Sequence, residues 1–254
     1  MAIRLGTATP TKLYLGATEV TKAYLRASEA YSSAAAWTPS DLGASLALWL
    51  DADDASTITL NGSNVSQWDD KSGNARHAVQ ATAVSQPTYT INGLNGKPVL
   101  TFDGVDDLLE TPSFIMGDAA VSVAQRSAIN QPVIETSVST NRGFWGSVYP
   151  GFTTHTNYGV NGQAPTSAPP NTAVTNPAIV SQTGLLRTSL NTLRIGLGSP
   201  AFAYLNGFLS EVIISSTALT STDRQKLEGY LAWKWGLVAN LPTDHPYKTT
   251  PPIA

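Results

Sequence analysis

The sequence contains no cysteine. Disulfides, zinc–thiolate sites and cysteine nucleophiles are therefore excluded. Charge is also scarce, at 13% of residues, about half the usual quarter. Lys and Arg form no cluster and the net charge is −3, so neither a phosphate-tracking nucleic-acid surface nor a polybasic membrane patch is expected. No apolar run approaches the roughly 18 residues of a membrane helix. Met1-Ala2-Ile3-Arg4 lacks the apolar core of a signal peptide, so the expectation is synthesis in a cytoplasm without the signal-peptide route. Gly-x-Ser-x-Gly, phosphate-loop and dinucleotide fingerprints are missing. His77, His155 and His245 show no metal-ligand spacing.

What fills the chain is small and polar, yet 42% of its 254 residues are hydrophobic. That is enough for one large domain with a real core rather than a disordered chain. The clearest local signal runs from Gly207 to Leu237. Phe208 to Ile214 carries the β-branched residues of a buried strand. Thr220 followed by Asp223 is an aspartate version of a capping box and opens a helix. Leu227, Tyr230, Leu231, Lys234 and Trp235 then recur at helical spacing, and Gly236 stands where a helix is closed. Elsewhere the pattern is short strands and turns: Ala47–Leu50, Val65–Asp70, Val99–Phe102, Leu108–Glu110, Ala119–Ala124, Gln131–Val138, Tyr158–Val160 and Leu193–Gly198, with Asn-Gly turns at 92–93 and 95–96. Strands at this spacing predict an all-β fold, a two-sheet jelly-roll sandwich with one C-terminal helix.

Residues 11–31 hold a short internal repeat. Lys12-Leu13-Tyr14-Leu15 is echoed by Lys22-Ala23-Tyr24-Leu25, and Glu19 by Glu29, ten residues on. It predicts a short N-terminal β-hairpin arm, residues 1–36, ahead of a main domain at 37–254, with Tyr31 to Ala36 as the link. Such a piece is too small to hold itself folded. Leu13, Tyr14, Leu15, Tyr24, Leu25 and Tyr31 are its candidate attachment residues, and it would dock on the main domain, on copies of itself or on a partner.

Three stretches carry a family resemblance: Leu48-Trp49-Leu50-Asp51-Ala52, Val65 to Asn74 (VSQWDDKSGN), and Asn95 to Asp107 (NGKPVLTFDGVDD). With Leu209–Ile214, Tyr230–Leu237 and His245-Pro246-Tyr247 following in order, residues 41–247 resemble the concanavalin A-like lectin/glucanase superfamily, laminin G-like branch. The resemblance implies the jelly roll. The N-terminal repeat resembles the leading segment of tailed-phage fibre and virion proteins, where Tyr-Leu-Gly repeats precede a variable distal domain. Together they imply a virion surface protein, such as a fibre, collar or decoration component. It would join other virion proteins through the arm, form a homo-oligomer and adhere to cell-surface polysaccharide of the host. A purely structural decoration protein and a polysaccharide depolymerase are the competing readings.

Candidate chemistry is sparse. Exposed aromatic faces flanked by amides bind sugars, and Trp145, Tyr149, His155 and Tyr158 with Asn141 and Arg142 fit that description; the alternative is an aromatic core. Asp103, Asp106 and Asp107 could join Asp51, Asp53 and Asp54 as calcium ligands, calcium being the one cofactor the pattern admits. The alternative is turn chemistry, in which Asp binds local backbone N–H groups. The glucanase branch carries alternating Glu-x-Asp-x-Glu, which is absent here, and Glu211 has no acid two residues away. No catalytic residue is therefore expected, and the protein is read as a non-enzyme.

Overall fold

The computed structural model describes residues 13–15, 18–20, 22–25, 28–32, 35–115, 119–126, 134–136, 157–164, 176–183, 192–196 and 204–254. The strands run β1 (Leu13–Leu15), β2 (Thr18–Val20), β3 (Lys22–Leu25), β4 (Ser28–Ser32), β5 (Leu46–Asp51), β6 (Ile58–Asn61), β7 (Asn64–Trp68), β8 (Ala78–Val79) and β9 (Thr88–Leu94). They continue with β10 (Lys97–Asp103), β11 (Leu109–Glu110), β12 (Ala119–Arg126), β13 (Ile134–Thr136), β14 (Asn157–Val160), β15 (Ala178–Thr183), β16 (Leu193–Ile195) and β17 (Asn206–Ser215), before the helix α1 (Ser221–Lys234).

The fold is mainly β. One large antiparallel sheet has the order β13-β16-β11-β8-β7-β9-β10-β17-β12-β15-β14, with β5 added to β17 and β6 to β7. β1–β2 and β3–β4 are separate two-stranded sheets. Ala35–Trp37 is clamped to the C-terminal tail: Trp37 N–H donates to Pro252 at 3.1 Å and Ala254 N–H to Ala35 at 3.0 Å.

β17 organises the sheet. β12 flanks it on one side, while β10 and then β5 share the other. Its side chains alternate between two buried clusters, as period-two geometry requires. Leu209, Val212 and Ile214 join Leu48, Leu50, Leu100 and Phe102 in one core. Ile213 joins Trp49 and Val99 in the other, against Leu227, Leu231, Ala232 and Trp235 of α1. Each fully buried Leu or Ile contributes about 1.5–3 kcal/mol.

That alternation is interrupted once. The β12 ladder steps from Val123↔Glu211 to Ala124↔Leu209, so Ser210 has no counterpart and forms a β-bulge. The extra residue turns Glu211 onto the helix side, where unbroken alternation would have sent it into the core with Leu209.

α1 starts and stops as its sequence predicts. Thr220 Oγ1 accepts the Asp223 N–H at 3.1 Å. The Asp223 carboxylate takes the Thr220 hydroxyl at 2.7 Å instead of the reciprocal backbone bond. Gly236 has φ +68°, and Leu237 N–H closes on the Ala232 carbonyl at 2.8 Å, a Schellman arrangement. One expectation fails. Asn95-Gly96 forms the β9–β10 hairpin with φ 50° and 80°, whereas Asn92-Gly93 lies inside β9, Gly93 being the residue whose missing Cβ makes room for Val99. Trp233, near the end of α1, is 40% exposed.

Ser210 Oγ is buried without a hydrogen-bond partner, and an unsatisfied buried hydroxyl costs about 1–3 kcal/mol. Ser210→Ala should therefore stabilise the protein, by about 1 kcal/mol, raising the urea midpoint at unchanged slope.

Candidate functional site

The predicted attachment residues divide between the hairpins. Leu13, Tyr14 and Leu15 form β1, Tyr24 and Leu25 lie in β3, and Tyr31 lies in β4. Of the predicted sugar-binding residues, Asn141, Arg142, Trp145, Tyr149 and His155 fall outside the described residues. Tyr158 stands in β14, opposite Gln182 on β15.

Asp103, Asp106 and Asp107 do come together, each offering an oxygen within 4.8 Å of the others. Their bonds are those of a tight turn. Asp103 Oδ1 accepts the N–H of Val105 at 2.8 Å and of Asp106 at 3.3 Å. Asp107 Oδ2 accepts Asp103 N–H at 2.9 Å, and Ser85 Oγ donates to Asp106 at 3.1 Å. Gly104, at φ +81°, passes so close to Asn206 that a Cβ would sit 2.7 Å from its side chain. Offering one oxygen each, three carboxylates supply at most half of the six to eight oxygens calcium takes, so a cation here would need further oxygens from backbone or water. Burial, assisted by the charges of Asp103 and Asp106, pushes Asp107 up to about 6 against the backbone bond that lowers it.

The other aspartates do not converge on that loop. Asp51, Asp53 and Asp54, at the end of β5, are matched by lysines. Lys71 reaches Asp51 and Asp54 at 2.8 Å each, Lys97 reaches Asp53 at 2.5 Å, and Lys234 reaches Asp51 at 2.5 Å. The Lys71 bond is the main reason Asp54 is held down at about 2. Burial alone would lower Lys71, but its bonds to Asp51 and Asp54 leave it above its ordinary value. Lys71 is delivered by the Trp68–Asn74 stretch, which Asp70 clasps onto β5. The Asp70 carboxylate accepts Trp49 N–H at 3.0 Å, Ser72 N–H at 2.8 Å and Arg76 N–H at 3.0 Å.

The group missed by sequence reading is the buried seam between α1 and β17. Glu211 has no solvent exposure. Its Oε1 accepts Trp49 Nε1 at 2.7 Å and the Tyr230 hydroxyl at 3.0 Å. Its Oε2 accepts Trp235 Nε1 at 2.7 Å and meets Lys234 Nζ at 2.8 Å. Burial pushes Glu211 up, and Lys234 opposes that push. Burial and the Glu211 charge also raise the Tyr230 hydroxyl. Lys234 thus bridges two carboxylates, Asp51 and Glu211. A second buried group lies on the next turn of the helix: Glu228 accepts Arg224 at 2.5 Å, bonds Ser181 Oγ, and faces His245 Nε2 at 3.4 Å. The signal available in the sequence was the lysine inside Trp233-Lys234-Trp235, a charge at helical spacing with apolar residues.

In both groups the acids are met by donors from neighbouring elements. Such carboxylates fix the packing of α1 on the sheet and the tail.

No protein-family model matches the chain, and no curated protein matches it. The solved structure of Trypanosoma rangeli sialidase in complex with sialic acid is similar at a TM-score of 0.39 and 15% identity, over 75% of this chain and 33% of that one. The chain thus spans about a third of the length of that structure.

Lys234→Met should leave Asp51 and Glu211 buried without their shared cation and cost about 3–5 kcal/mol. Lys71→Met, at a partly exposed pair, should cost about 1 kcal/mol or less. Guanidinium midpoints of the two variants compare them directly.

Asp107 generates a pH effect of defined sign. Its folded pKa lies above its unfolded one, so the folded chain holds more protons between about pH 4 and 6, and Asp107's contribution to stability falls as pH rises through that window. Melting temperatures of wild type and Asp107→Asn across pH 4–7 should converge towards the acid end, with the variant gaining relative to wild type above pH 6.

Proposed function

We propose that the chain is a surface protein of a phage or phage-like particle, in which an N-terminal assembly arm carries a concanavalin A-like jelly-roll domain that adheres to host surface glycan. The observation that carries this reading is the arm itself. Among the described residues, β1 pairs with β2 and β3 with β4, each as a two-stranded sheet of its own. A two-stranded hairpin is at best marginally stable in water, so an arm of two such hairpins acts by docking. The jelly-roll reading of the body rests on β5, β10 and β17, whose opposite faces feed two separate cores, one covered by α1. That is how a sheet behaves when one face packs inside a sandwich and the other is covered from outside.

Adhesion fits better than catalysis because Glu211 and Glu228, the acids most deeply buried among the described residues, are held by several donors each. Weak single sites suffice when several copies are displayed on one particle, since avidity supplies the strength. Glycan contact is assigned to the aromatic segment with Trp145, Tyr149, His155 and Tyr158, flanked by Asn141 and Arg142. A decoration protein that binds only other virion proteins is the alternative that shares the same arm.

Deleting residues 1–31 should leave residues 32–254 as a soluble domain that no longer joins particles; incorporation that persists would overturn the arm's role. A glycan array probed with multimerised residues 37–254 should give binding that Trp145→Ala and Tyr149→Ala weaken at least tenfold. Silence on the array, with normal host adsorption of particles lacking the domain, would favour decoration over adhesion.

A further inference from the structure

The chain has no cysteine, so a covalent brace within it has to come from other side chains. One place brings a nucleophile, an electrophile and a proton carrier together away from water. Asp51 on β5 and Glu211 on β17 are cross-strand partners, so backbone pairing sets the two acids side by side. α1 then lays an amine between them: Lys234 Nζ is 2.5 Å from Asp51 Oδ1 and 2.8 Å from Glu211 Oε2. The side chains of Lys234, Asp51 and Glu211 are 15%, 5% and 0% exposed. The rings of Trp235 and Tyr230 wall the amine, with centroids 5.3 and 5.5 Å from Nζ. Holding ionised groups out of water is costly. Condensing an ammonium and a carboxylate into a neutral amide removes that cost, and fixed contact removes the entropy barrier to it.

We propose that Lys234 and Asp51 condense inside the folded chain into an isopeptide bond, with Glu211 as the proton carrier. One proton passes from Nζ to Oδ1 across their hydrogen bond, leaving a neutral amine and a neutral acid. The amine lone pair adds to Asp51 Cγ. Charge collecting on Oδ2 is met by Lys71 Nζ at 2.8 Å. Glu211 takes the second proton from Nζ, a transfer that its burial favours by raising its proton affinity. It hands that proton to the Oδ1 hydroxyl, the Cγ–Oδ1 bond breaks with its electron pair on oxygen, and water leaves. An ammonium and a carboxylate give one amide and one water, and Glu211 ends as it began. Lys71 also touches Asp51, but it is the more exposed lysine, at 23%, and divides itself between Asp51 and Asp54. The bond fastens β5 to α1 and closes a loop across the 183 positions from Asp51 to Lys234, a constraint on the unfolded chain of the kind a disulfide imposes.

The test is the intact mass of the purified full chain under denaturing conditions. The chain is expected one water lighter than its sequence, and a digest should hold the Asp51 and Lys234 peptides joined. Lys234→Arg should have the full mass of its own sequence. Asp51→Asn should lose ammonia in place of water. Glu211→Gln, its fold checked by its thermal transition, should keep its full mass. A wild-type chain at full mass would overturn the proposal however the variants fold. A link from Asp51 to Lys71, or an Asp51→Asn chain that still loses water, would place the bond elsewhere and overturn it too. Water loss that persists in Glu211→Gln would remove Glu211 from the mechanism.

Discussion

A carboxylate without solvent holds the helix to the sheet. An isolated buried carboxylate is costly enough that it survives only when paired and fully hydrogen-bonded. Glu211 meets that demand with donors from two elements: Trp49 on β5, and Tyr230, Lys234 and the capping Trp235 on α1. Satisfying all of them at once fixes the rotation of α1 and its height above β17. Hydrophobic burial of Leu227, Leu231 and Trp235 supplies the favourable free energy of docking but is non-directional. The carboxylate selects one docked geometry among several of similar apolar area.

That geometry depends on an irregularity. Without the bulge at Ser210, Glu211 would face Leu50 and Leu209, and no donor of α1 would reach it. The same bulge sits where β17 changes partner from β10 to β5, and Ser210 accepts Ala52 N–H at 2.9 Å through its carbonyl as β5 departs. A strand that must serve two neighbours on one edge needs a local change of twist, which a bulge supplies. The unpartnered Ser210 hydroxyl is a small residual cost of that arrangement.

Much of this was readable from local chemistry. β17, α1, the Thr220 cap and the Gly236 stop each follow from residues within one element, where propensity and periodicity act directly. The turn at Asn95-Gly96 was read correctly and the one at Asn92-Gly93 was not, because the dipeptide alone does not reveal that Val99 packs across Gly93. The seam was illegible for a related reason. Glu211 looked isolated when only its neighbours in the strand were considered, yet Trp49 lies 162 positions away and Trp235 lies 24 away. The bulge also inverted the face that simple alternation would assign to it. The aspartates after β5 were legible as a charge cluster but not as one already neutralised, since their lysines come from three separate elements.

The junction between arm and body connects these parts mechanically. Trp37, 3% exposed, is the first large side chain of the body, and its N–H is tied to the C-terminal tail at Pro252. Its ring meets Tyr230 edge-on at 6.3 Å between centroids. Tyr230 is also one of the donors to Glu211. A pull on the arm therefore reaches the body at Trp37 and passes into α1 at the residue that links the helix to the buried carboxylate. Tail, helix and sheet share that load across packed and hydrogen-bonded contacts. In a domain proposed to be displayed at the end of an assembled arm, the chain enters beside the helix that the buried charge network holds to the sheet, and that network keeps the anchorage rigid.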